Sequence, residues 1–116
     1  MIEPIPYYYE SINRNAIVVK ARKPLLDWVK YIYPDDPLTE TEEGNIYLIR
    51  EKESNEEIEK WLKRNFDKIF QNELNDWHTD EKHWPQKRTF KLFQEWFEYE
   101  IHSMVLDLED TRITKE

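Results

Sequence analysis

Two imidazoles and two carboxylates fall within the run Trp77-His78-Thr79-Asp80-Glu81-Lys82-His83-Trp84-Pro85. Their nitrogen and oxygen atoms are the donors that a divalent metal takes up. His78 and His83 are five residues apart, whereas side chains share a helix face at spacings of three or four. A metal here requires a specific loop conformation or a further ligand, for which His102 is the remaining histidine. The competing account is a solvated loop whose ends, Trp77 and Trp84, anchor in the core. Thr79 and Asp80 suit that account, because short polar side chains bond nearby backbone and shape turns.

Other chemistries are poorly served. Gly44 is the single glycine, so no glycine-rich loop can cradle a phosphate. The absence of cysteine removes thiolate nucleophiles, disulfides and cysteine-ligated zinc. Of the three serines, Ser54 suits a helix cap, Ser11 lies in a proline-rich arm, and Ser103 falls inside an expected strand. His102 adjoins Ser103, but strand neighbours point to opposite faces and cannot pair. His102 itself reads first as a histidine with one hydrogen-bond partner on a mostly apolar strand; a general-base role needs an adjoining cleft. The pairs Asp35-Asp36 and Glu42-Glu43 suit a solvated acidic loop, and Glu95, Glu98 and Glu100 suit the wet side of a third helix. No catalytic residue is assigned, no cofactor is expected, and enzymatic activity is disfavoured.

The elements that would position these groups follow from periodicity. Residues 1–12 hold Pro4, Pro6 and three consecutive tyrosines, and read as an extended arm or an extra edge strand. Asn15–Ala21 is short and β-branched, a first strand whose continuous apolar run suggests burial on both faces. Pro24 opens a helix carrying Leu25, Leu26, Trp28, Val29 and Ile32, which the Pro34–Pro37 segment ends. An acidic loop leads to Gly44 and a second strand, Asn45–Arg50. Ser54 and Glu57 fit a capping box, each side chain taking a free backbone N–H. From there Ile58, Trp61, Leu62, Phe66, Ile69, Phe70, Leu74 and Trp77 step by three and four along a long amphipathic helix. Its wet side places Glu56 before Lys60 and Glu59 before Lys63. Thr89 can cap a third helix bearing Phe90, Phe93, Trp96 and Phe97, followed by a third strand, Ile101–Leu106. The expected fold is α+β, a small three-stranded sheet with three helices in the order strand, helix, strand, helix, helix, strand. It forms one domain over residues 1–116, with 109–116 as a frayed tail.

The chain carries 25 acidic against 17 basic residues, a net charge of −8, which repels nucleic acid and anionic lipid. Charge is uneven: Arg14, Lys20, Arg22, Lys23 and Lys30 precede a stretch dominated by Asp and Glu. No apolar run approaches the ~20 residues of a membrane span, and the N-terminus lacks the pattern of a secretory signal. Most aromatics lie on core stripes, so packing explains them better than base stacking does.

The segments Trp77-His78-Thr79-Asp80, Trp84-Pro85, Trp96-Phe97 and His102-Ser103-Met104-Val105-Leu106-Asp107, with the opening Asn13-Arg14-Asn15-Ala16-Ile17-Val18, resemble a group of small acidic bacterial proteins with no established activity. The resemblance implies a bacterial, cytoplasmic origin and nothing about catalysis. The functional expectation is therefore a non-enzymatic interaction module that binds a protein partner or itself as a homodimer, with an inhibitor- or immunity-like role as one version. Its expected surface includes Tyr47, Ile49, Glu42 and Glu43. The alternative is a metal-binding domain or metal-dependent enzyme using His78, Asp80, His83 and His102.

Overall fold

A computed structural model describes residues 10–36 and 43–115. The β-branched run forms β1, Arg14–Ala21, and this strand is central. On one side it pairs antiparallel with β2, Asn45–Arg50; on the other it pairs antiparallel with β3, Phe97–His102. Between the strands run α1, Lys23–Ile32, the long α2, Asn55–Trp77, and the short α3, Phe90–Trp96. A single 3-10 turn, Glu81–His83, interrupts the connection from α2 to α3. The expected α+β architecture and element order are those observed.

The helices form one layer because their apolar stripes have one sheet face to cover. Ile58, Leu62, Phe70 and Leu74 of α2 are fully buried, as are Leu25 of α1 and Phe93 of α3. They meet Ile17 and Val19 of β1 and Phe97 of β3. The Phe93 ring lies 5.9 Å from Phe66, 5.9 Å from Phe70 and 5.2 Å from Phe97, centroid to centroid. Tilted aromatic pairs at such distances add about 0.5–1.5 kcal/mol each beyond area burial.

The third strand begins earlier than expected. Phe97 starts β3 instead of ending α3, and Ser103 lies beyond the strand. The reason is the alternation Phe97-Glu98-Tyr99-Glu100-Ile101-His102, whose period of two suits a half-buried strand. Glu98 and Glu100 consequently stand on the sheet and not on a helix. Further along, Ile12 N–H donates to Val105 C=O at 2.7 Å and Ser11 bridges Leu106. The stretch after His102 thus runs beside the segment preceding β1; residues 1–9 of the expected arm lie outside the described residues. Residues 109–115 are exposed and irregular, with a bend at Thr111.

Local signals on α2 are met in part. Ser54 Oγ accepts from the Glu57 backbone N–H at 3.2 Å, but the Glu57 carboxylate takes Lys60 Nζ at 3.4 Å. Glu59, expected opposite Lys63, accepts from the Tyr99 hydroxyl at 3.2 Å. The last part of the helix–helix connection is held by Arg88, whose Nε donates to Asp67 Oδ1 at 2.6 Å. That guanidinium holds the Asp67 carboxyl below the usual range.

Candidate functional site

Strand alternation divides the sheet into two unlike faces. Ile17, Val19, Tyr47, Ile49, Phe97 and Tyr99 point to the helical layer. Among the described residues no helix covers the opposite face. There Val18 stands between Ile46 and Glu100, and Lys20 stands opposite Glu98. Ile46 is 67% exposed and Leu48 45% exposed. On this face β2 presents Ile46, Leu48 and Arg50, β3 presents Glu98, Glu100 and His102, and the central strand adds Arg14 and Lys20. Met104, Leu106 and Leu108, just after β3, are exposed as well.

This alternation corrects the expected interaction surface. Ile49 is buried and Tyr47 half-buried against α2, so the outward pair on β2 is Ile46 and Leu48. Glu43 is exposed immediately before β2, and Glu42 lies outside the described residues.

Tyr47 is instead part of a polar tie between sheet and helix. Its hydroxyl donates to Oε2 of Glu73, and Asn45 Nδ2 donates to the same oxygen at 2.7 Å. Asn72 Nδ2 donates to the Tyr47 hydroxyl at 2.8 Å. Glu73 is only 5% exposed. Burial pushes its carboxyl above the ordinary range, against the opposing hydrogen bonds from Tyr47 and Asn45. Burial, and then donation to Glu73, raises the Tyr47 phenol well above its usual value. A cleft of about 480 Å³ opens beside this cluster, lined by Glu43, Asn45, Glu73, Asp76 and Trp77 among others. A carboxyl of raised pKa next to a cleft is the raw material of a general acid. Here its Oε2 already accepts two bonds that fasten β2 to α2, and the arrangement serves the fold.

The histidine loop is better ordered than its composition suggests. His78 caps the C-terminus of α2, its N–H donating to Leu74 C=O at 2.9 Å. Asp80 Oδ1 then accepts from Lys82 N–H at 3.0 Å and starts the 3-10 turn. That turn doubles the chain back, so the five-residue spacing no longer separates the two histidines. His78 Nε2 and His83 Nδ1 lie 2.8 Å apart, and their rings stack with centroids 5.0 Å apart. Asp80 Oδ2 is 3.9 Å from His83 Nδ1. His102 is not part of this group: it ends β3, where its Nε2 lies 3.3 Å from Glu100 Oε2.

Two indoles and a phenol brace the loop. Trp28 Nε1 donates to His83 C=O at 2.9 Å, and Trp84 Nε1 donates to His78 C=O at 2.8 Å. Tyr33 Oη shares a 2.7 Å hydrogen bond with His78 Nδ1. Trp84 is buried, as its expected anchoring role requires.

Comparison with protein-family models, with curated proteins and with solved structures finds no match.

Function must therefore be read from the side chains. The outer sheet face offers apolar contact beside charges of both signs, which is binding chemistry. The histidine loop offers two imidazoles and a carboxylate, which is ligand chemistry. Three contributors escaped the sequence reading. Glu73 falls on the apolar stripe of α2, seven residues after Phe66, and a polar residue on such a stripe signals a buried polar contact. Asn15 shares its inward parity with Ile17 and Val19. Tyr33 sits after α1, where only the folded chain brings it to His78.

Proposed function

We propose that this protein is a non-enzymatic acidic interaction module that binds a protein partner through the outer face of its sheet. The observation that supports it is the exposed pair Ile46 and Leu48 on a face that no described helix covers. Burying what remains exposed of each, 67% of Ile46 and 45% of Leu48, is worth about 1–2 kcal/mol apiece, a part of the ~1.5–3 kcal/mol for full burial. The face itself carries charge of both signs, Glu98 and Glu100 beside Arg14, Lys20 and Arg50, while the net charge of −8 over the whole chain favours a partner that is basic overall. The same net charge disfavours phosphate backbones, so nucleic acid is a poor fit. Among the described residues no helix is long and apolar enough to cross a membrane. A bacterial cytoplasmic setting, as the resemblance implies, and an inhibitor-like role against a basic protein belong to this proposal.

The test compares the wild-type chain with an Ile46→Lys/Leu48→Lys variant in capture from the native host at low salt, alongside sedimentation of each. Both positions are outward, so circular dichroism should be unchanged. The expected result is a partner, or a second copy, held by the wild type and lost by the variant. Equal retention by the variant, or a wild type that sediments as a monomer and captures nothing, overturns the proposal.

A further inference from the structure

The geometry points to a second site independent of the sheet face: His78, Asp80 and His83 form a three-ligand site for a divalent transition metal of the zinc class. One donor atom from each residue lies within 4.8 Å of the other two. In the tetrahedral shell of zinc, metal–nitrogen bonds of about 2.0–2.1 Å place neighbouring donors ~3.3 Å apart. The observed 2.8 Å between the two imidazole nitrogens is the distance of a hydrogen bond through one shared proton. Exchanging that proton for a metal needs an opening of roughly half an ångström by surface side chains. Asp80 must close toward both imidazoles from its present 3.9 Å to His83 Nδ1, and the Oδ2 that would do so is the oxygen not used to start the 3-10 turn.

The surroundings favour metal over an incidental histidine pair. Metal-bound histidine almost always has its second ring nitrogen hydrogen-bonded to an oxygen, which sets the tautomer and orients the ring. Tyr33 Oη does this for His78: with Nδ1–H donating to it, Nε2 presents a lone pair toward His83. The two indole bonds hold both histidine carbonyls, so the backbone that carries the ligands is fixed before any ion arrives. Two imidazoles with one carboxylate suit zinc, cobalt or nickel better than magnesium or calcium, which prefer all-oxygen shells. Three protein donors leave a fourth tetrahedral position to water.

The experiment is a titration of untagged, chelator-stripped full chain with Co²⁺, read by visible absorption and followed by Zn²⁺ displacement. One equivalent should bind, with the intense absorption of a low-symmetry four-coordinate ion, and Zn²⁺ should bleach it. His83→Ala and His78→Ala should each weaken binding at least tenfold. Asp80→Asn, which keeps the turn-starting oxygen, should also weaken it. Tyr33→Phe should weaken it about tenfold, in line with the loss of an outer-shell partner. His102→Ala should bind as the wild type does. The assignment fails if no saturable equivalent binds, if His83→Ala and Asp80→Asn both bind as tightly as the wild type, or if His102→Ala weakens binding as much as His83→Ala.

Discussion

At the scale of single residues, the buried polar groups carry the most specific information. Asn15 is 1% exposed, and its amide ties down the segments that follow β3 and β2: Nδ2 donates to Ser103 C=O at 2.9 Å, while Oδ1 accepts from Lys52 N–H at 2.7 Å. Replacement by leucine leaves both backbone groups without that partner, at about 1–3 kcal/mol for each that stays buried; urea unfolding measures the loss. Glu73 makes a pH-dependent case. Its native carboxyl holds a proton more tightly than in the unfolded chain, because burial penalises the charge. Its contribution to stability is therefore fullest below the ordinary carboxyl range and declines as pH rises through the raised native value. Glu73→Gln keeps an acceptor for Tyr47 and Asn45 and removes the charge. Unfolding measured across pH should show the glutamine variant gaining on the wild type from about pH 4 toward neutrality. A gap that shrinks with rising pH contradicts the burial argument. Glu73 and Asn15 were legible only as polar residues in apolar phase, a pattern that announces burial without naming partners.

At the scale of elements, periodicity settled most of the outcome. The stepping from Ile58 to Trp77 made α2 readable, because a stripe of large side chains has to be buried whatever the tertiary context. The β3 boundary was harder to read: four rings between Phe90 and Phe97 suggest a longer helix, while strict alternation from Phe97 favours a strand, and alternation won. The histidine loop shows the opposite limit. Its ligand-type residues were visible in sequence, but their convergence depends on a 3-10 turn that spacing rules for regular helices do not describe. Gly44 belongs at this scale too. A Cβ at that position would sit 2.5 Å from Val19 C=O oxygen and 2.6 Å from Lys20 Cγ. The carbonyl is backbone of the central strand and cannot swing aside. Gly44→Ala should cost about 1–3 kcal/mol through overpacking, with hydrogen exchange quickening first along β2. Unchanged exchange there would mean the loop before β2 gives way more easily than the strand.

At the scale of the whole molecule, charge and the sheet face that no described helix covers make opposing demands. Two copies meeting face to face would bring together chains of −8 each, and added salt should strengthen that association by screening repulsion. A basic partner would be released by the same salt. The sign of the salt dependence, read by sedimentation or by binding kinetics, therefore identifies the occupant. The braces on the histidine loop have an optical consequence. Trp28 and Trp84 each place an indole N–H on the carbonyl of a histidine, and the Trp28 ring also lies edge-on to His78, 6.2 Å away. Indole emission responds to the polarity and quenching groups around the ring, so these two of the five tryptophans form a built-in fluorescent gauge of the loop. Displacing either carbonyl, or changing what the imidazoles hold, should shift the emission without any attached dye.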